Sequence, residues 1–158
     1  EQLPGAAAID VDTPRSPLNV GLSIFICHSS QDKPYVREIY RQLKKDGHVP
    51  WLDEEDILPG EKWETAITDA VRSSNVVLVC LSKQSINKEG FLQKEISEVL
   101  QVAEEKPEGT IFVIPLRLEE APVPRRLSQW QWLDYFHESA HKRLLCSLAK
   151  RAAQLPRV

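Results

Sequence analysis

The sequence predicts an α/β fold, a doubly wound five-stranded parallel sheet in the order 2-1-3-4-5 with helices on both faces. Three observations carry that expectation. Short apolar runs rich in β-branched residues, at 22–27 (LSIFIC), 76–81 (VVLVCL) and 110–116 (TIFVIPL), have the length of strands buried on both sides. Between them stand segments whose apolar residues recur at helical spacing, so strand and helix alternate along the chain. The second strand-like run, 48–52, contains Pro50. Proline has no amide proton for a ladder and belongs at a sheet edge, where this order puts strand 2.

Residues 1–21 hold Pro4, Pro14 and Pro17 among small and polar residues without periodicity, the composition of a linker or tail. Strand 1 stops at His28-Ser29-Ser30-Gln31-Asp32, where Ser30 or Asp32 can cap a helix that carries Pro34 in its first turn. Val36, Ile39, Tyr40 and Leu43 give that helix an inner face, and Gly47 suits a left-handed C-terminal cap. After strand 2 comes an acidic loop, 53–61, closed by Pro59-Gly60. Its acids lack the alternating ligands and glycine of a calcium loop, so a solvated loop is expected.

Trp63, Ile67, Ala70 and Val71 mark the next helix, and strand 3 follows at 76–81. On the helix after it, Leu92, Ile96, Val99, Leu100 and Ala103 form the inner stripe. Strand 4 is read at 110–116. A loop punctuated by Pro122 and Pro124 and carrying Arg125-Arg126 leads to 129–134 (QWQWLD), which alternates as a half-exposed last strand. From Ser139, Leu144, Leu145, Leu148, Ala152 and Leu155 define a terminal helix with Cys146 on its inner side.

The chain has 158 residues, one domain's worth, with 42% hydrophobic and 27% charged residues and no internal repeat. A net charge of −3 leaves no basic excess for general nucleic-acid binding. The apolar runs are too short to cross a bilayer and no secretory signal is present. The three cysteines, Cys27, Cys80 and Cys146, are odd in number and lack CxxC spacing. That pattern fits buried thiols in the cytoplasm and neither a disulfide framework nor a zinc site. The chain opens on Glu1 and contains no methionine, so a piece excised from a longer protein is expected, with 22–158 as its folded domain.

Several chemistries are missing. There is no GxGxxG and no GxxxxGK[ST], so neither phosphate cradle can be built. No GxSxG elbow occurs, and Leu81-Ser82 stands where a phospho-acceptor receiver of this topology needs an aspartate. His137 and His141 lie at i, i+4 at a helix entrance, a spacing more often coincidental than metal-binding.

In a sheet of this order, ligands sit beyond the carboxyl ends of strands 1 and 3. Those ends lead into His28-Ser29-Ser30 and Ser82-Lys83. The helix after strand 3 carries Glu95 at the margin of its apolar stripe, with Phe91, Leu92, Val99 and Glu98 as its helical neighbours. Such an acid is more often a solvated helix-edge group, but a partly desolvated one beside a ligand crevice is suited to catalysis.

Residues 25–32 (FICHSSQD), Trp51-Leu52-Asp53, Leu58-Pro59-Gly60 with Trp63, and 88–96 (KEGFLQKEI) together resemble the Toll/interleukin-1 receptor (TIR) domain family, in particular its bacterial branch. The resemblance runs from about Leu22 to Leu155 and implies the flavodoxin-like fold. It also implies an NAD glycohydrolase, with NAD as substrate, no cofactor and no metal. Glu95 matches the family's catalytic glutamate. His28, Ser29, Ser30, Asp53, Ser82 and Phe91 match or adjoin the pocket positions, Phe91 standing where many members have tryptophan or tyrosine. Trp63 matches an aromatic that can stack on the nicotinamide or adenine, though its place in the helical stripe equally suits core packing. The loop with Asp56, Leu58, Pro59 and Gly60 corresponds to the BB loop, which in this family often completes a neighbouring protomer's pocket. Self-association, contacts with other domains of a parent chain and a role in bacterial immune signalling are further implications. A non-catalytic adaptor module, and an N-glycosidase acting on other nucleosides, are the alternatives.

Overall fold

The computed structural model describes residues 21–52, 56–87 and 91–156, with side chains from Glu95 onward in the helix that begins at Phe91. Strand β1 (Ser23–Cys27) leads through a 3-10 turn (Ser30–Asp32) into α1 (Lys33–Lys45). Then follow β2 (Val49–Trp51), α2 (Trp63–Ser73), β3 (Val76–Leu81), a short α3 (Lys83–Asn87), α4 (Phe91–Glu104) and β4 (Val113–Arg117). A second 3-10 turn (Arg125–Leu127), β5 (Leu133–Asp134) and α5 (Ala140–Gln154) complete the order. The sheet is parallel throughout, ordered β2-β1-β3-β4-β5, as expected from the alternation and from Pro50.

Each strand divides its side chains between two cores by the period-2 rule. Ile24, Ile26, Leu78, Cys80, Ile114 and Leu116 face α1 and α5, where Val36, Ile39, Leu43, Leu144 and Leu148 meet them. Phe25, Cys27, Val77, Val79, Leu81 and Val113 face α2 and α4, against Ile67, Val71, Ile96, Val99 and Val102. All of β3 is buried, which is why its six residues show no alternation.

Gly47 closes α1 with φ at 95°. The amide of Gly47 donates to Lys44 and that of His48 to Leu43, the paired bonds of a Schellman cap. The carbonyl of Gly47 also lies where a Cβ on Gly21 would stand, so backbone passes against backbone there. The imidazole Nδ1 of His48 accepts the Leu22 amide at 3.1 Å and fastens the entry of β1 to β2.

Three local expectations give way. The last strand pairs at Leu133 and Asp134 alone, not over 129–134, because the run meets β4 in register only at Leu116 and Arg117. Its place is held by the Arg117–Asp134 ion pair, in which the guanidinium also donates to the Ala121 carbonyl at 2.8 Å. That pairing holds the Asp134 carboxyl below its usual range. Strand 4 begins at Val113, not at residue 110, and α3 occupies a stretch too short for a periodicity to show. Cys146 is exposed, not on the inner side of α5, whose buried stripe is Ala140, Leu144, Leu148 and Arg151. Cys27 and Cys80 are buried, and burial pushes the Cys80 thiol well above its ordinary range.

Candidate functional site

The carboxyl ends of β1 and β3 are adjacent because β1 and β3 pair in register from Ile24↔Val76 to Cys27↔Val79. The chain winds away from β1 in opposite senses on its two sides, and it is in the crevice at such a switch point that sheets of this order hold their ligands. Among the described residues, the polar side chains of His28, Ser29, Asp32, Ser82 and Ser85 are buried there.

Asp32 and Ser82 join the two strand ends. The Ser82 hydroxyl donates to the Asp32 carboxylate at 2.8 Å. The same hydroxyl accepts the Ser85 amide at 3.2 Å, while the Ser85 hydroxyl accepts the Ser82 amide at 2.8 Å. Asp32 does stand at the N-cap position of α1, but its side chain makes no capping bond. Its carboxylate, 6% exposed, is engaged by the neighbouring strand end instead. Ser30, the other expected cap, is exposed.

Ser29 differs from these. Its hydroxyl is buried without a hydrogen-bond partner, an arrangement that costs about 1–3 kcal/mol and so marks a group able to receive a ligand. His28 is buried beside it with Nδ1 3.2 Å from the Ile26 carbonyl, which makes that nitrogen the protonated one.

Glu95 is 5% exposed, not at a solvated helix margin. It lies in the first turns of α4, at the end that follows β3, and α4 packs on both β1 and α2. Ile96 and Val99 beside it are fully in the core. A carboxylate is thus brought into an apolar layer beside β1, where its charge is poorly screened by water.

Trp63 resolves against core packing. It is the first residue of α2 and 47% exposed, and the buried stripe of that helix is Ile67, Ala70 and Val71. In the loop before it, Pro59 and Gly60, with φ of 92° at Gly60, close a tight turn sealed by the Glu61 amide on the Leu58 carbonyl at 3.1 Å. Two loop acids work locally: Asp56 accepts the Leu52 amide at 2.6 Å and Glu61 the Leu58 amide at 2.7 Å. Leu58 itself is 65% exposed. Asp53 lies outside the described residues, as does the side chain of Phe91.

The structure therefore brings His28, Ser29 and Ser82 together at the switch point, with Glu95 on a helix packed against the same strand. Asp32 and Ser85 belong to this group and were not singled out from sequence as site residues. The available signal was a buried-looking polar residue just past each of two strands that the fold makes neighbours. His141 is not paired with His137. Its Nε2 meets Asp46 at 2.7 Å and its Nδ1 meets the Tyr135 hydroxyl at 2.6 Å.

A family model described as TIR domain matches residues 24–146. An uncharacterized protein of Sinorhizobium fredii, y4cD, is 29% identical over 116 residues, which is 73% of this chain and 17% of that protein. Three solved structures are similar. The TIR domain of the Toll-related receptor TRR-2 from Hydra magnipapillata has a TM-score of 0.66 at 21% identity, covering 79% of this chain and 96% of its own. A prokaryotic SEFIR domain has a TM-score of 0.60 at 17% identity, over 81% of this chain and 99% of its own. The TIR domains of the Roq1 resistosome, described as directly recognizing the pathogen effector XopQ, reach 0.55 at 15% identity, over 84% of each chain. At these identities the solved structures speak to the fold.

Proposed function

Because the chain belongs to the TIR-domain family, we propose that it cleaves the bond between nicotinamide and ribose in NAD, with Glu95 as the catalytic carboxylate. The observation that carries this reading is the burial of Glu95 on a helix packed against β1. Hydrolysis takes NAD and water to nicotinamide, ADP-ribose and a proton. Nicotinamide departs as a neutral molecule, so no strong general acid is needed, and the barrier lies in an oxocarbenium-like sugar. A carboxylate beside the ribose offsets the positive charge that develops there, and it does so most effectively where water is excluded. Attack by a group of the substrate in place of water gives a cyclic isomer.

The other residues have supporting parts in this proposal. The free hydroxyl of Ser29 can bond an oxygen of the substrate, and Ser82, held by Asp32 and Ser85, keeps the crevice wall in place. Trp63 is exposed enough to offer a ring face to a base. Self-association belongs to the same proposal, because Tyr35, Leu58, Trp63 and Phe136 are large apolar side chains left exposed in loops and helix starts that follow strand ends. Those exposed side chains also favour the second reading, a non-catalytic module working by contacts between TIR domains.

The test is nicotinamide release from NAD by the chain at increasing protein concentration, beside Glu95→Gln, with products separated by chromatography. Release that climbs more steeply than protein concentration and vanishes in Glu95→Gln supports both catalysis and assembly. Turnover that Glu95→Gln leaves intact refutes the assigned carboxylate, and no turnover at any concentration leaves the interaction module as the function.

A further inference from the structure

The shortness of β5 leaves a second feature at the opposite edge of the sheet from β2. Leu116 and Arg117 have partners in β5, whereas among the described residues Val113 and Ile114 have no strand beyond them on that side. Beside them opens a cleft of about 600 Å³, walled by Val113 and Ile114 of β4, Trp130 and Trp132 of the approach to β5, and Arg143 and Cys146 of α5. That volume lies within the range of small-molecule sites, roughly 300–1,000 Å³.

The wall chemistry is selective. Both indoles are half-buried; Trp130 packs with part of its surface against the core under α2 and α4, whereas Trp132 belongs to neither core. Among the described residues Arg143 is the single charged one of the wall, and its guanidinium makes no ion pair with any of them. Among the described residues no carboxylate lines the cleft to neutralise it. Glu95 is not among the residues that line this cleft.

We propose that this cleft is a binding site for a small planar aromatic anion, distinct from the crevice of Glu95. The indoles supply the faces on which a flat ring stacks, and the guanidinium pairs with its acid group and can itself stack on a ring. Unlike a site for a neutral hydrophobe, the cleft rewards a negative charge at one end only.

The thiol in the wall makes the proposal measurable. Cys27 and Cys80 are buried, so among the cysteines Cys146 alone is exposed to a maleimide. The probe is 8-anilinonaphthalene-1-sulfonate, with uncharged N-phenyl-1-naphthylamine as its comparison. The sulfonate should bind one per chain, slow maleimide labelling of Cys146, and lose about tenfold in affinity in Arg143→Gln, the worth of one charge-assisted hydrogen bond. Trp132→Ala should weaken both dyes, and Arg143→Gln only the sulfonate. Thermal melts of both variants should match the parent, since Arg143 is exposed and Trp132 is only half-buried. Binding that ignores both substitutions, equal effects of Arg143→Gln on the two dyes, or binding that leaves Cys146 labelling unchanged would each overturn the assignment.

Discussion

The bond between Asp32 and Ser82 ties the ends of the two strands that frame the crevice, and its removal should be felt by the whole fold. Ser82→Ala withdraws the hydroxyl that donates to Asp32 at 2.8 Å and accepts the Ser85 amide at 3.2 Å. A carboxylate 6% exposed then loses its donor. A hydrogen bond to a charged group contributes about 1.5–3 kcal/mol, and an orphaned buried polar group costs about 1–3 kcal/mol. Ser82→Ala should therefore cost about 2–4 kcal/mol of an unfolding free energy on the order of 5–15 kcal/mol. Asp32→Ala should cost a similar amount, since it strands the hydroxyl of Ser82. The double variant removes both partners of one bond, so it should fall short of the sum by about 1.5–3 kcal/mol. The assay is urea unfolding of the four proteins followed by tryptophan fluorescence and far-UV circular dichroism, with matching transitions required before a free energy is taken. Additivity to within about 0.5 kcal/mol would mean that the two groups do not share a bond that matters, and the reasoning fails.

Three further outcomes are expected. Burial holds the imidazole of His48 below its ordinary value of 6.5, against the opposing pull of Asp46. Below 6.5 the unfolded chain therefore takes up a proton that the folded chain refuses, so stability should fall as pH drops from 6.5 towards the depressed folded value. His48→Gln, which keeps an acceptor for the Leu22 amide but cannot titrate, should flatten that part of a stability–pH curve; an unchanged slope would exonerate His48.

Gly21→Ala and Gly47→Ala should both destabilise, the first by driving a methyl into the Gly47 carbonyl and the second by forcing a side chain to φ of 95° in open space. Asparagine, which tolerates the left-handed region, should rescue position 47 and not position 21, as read from melting temperatures. Ser29→Ala should leave stability unchanged or raise it by up to about 2 kcal/mol, since it deletes an unpartnered buried hydroxyl. In an NAD-cleaving chain it should also raise KM, and a loss of stability would show that the hydroxyl is already satisfied.

Much of the fold is local in origin, and the sequence by itself determined it. The order of elements, the inner faces of α1 and α2, the cap at Gly47 and the edge position of the strand with Pro50 all follow from side-chain spacing or from what one residue's backbone can do. These properties need no knowledge of what packs on what, and the TIR resemblance was legible from short runs at strand ends for the same reason. Tertiary structure decided the rest. Whether Glu95 sits in water or in the core depends on how α4 rolls against β1 and α2, and at the edge of an apolar stripe a small rotation moves an acid between the two. Asp32 reads locally as a helix cap, but the fold brings Ser82 of a distant strand within 2.8 Å, and a buried hydroxyl outcompetes the amides of its own helix. Trp63 and Cys146 read as inward-facing on periodicity, yet one is half-exposed at the first residue of its helix and the other stands on the face opposite Leu144 and Leu148. The length of β5 was beyond local reading because an alternating run becomes a strand only where it meets a neighbour's edge in register, and this run meets β4 at Leu116 and Arg117 alone.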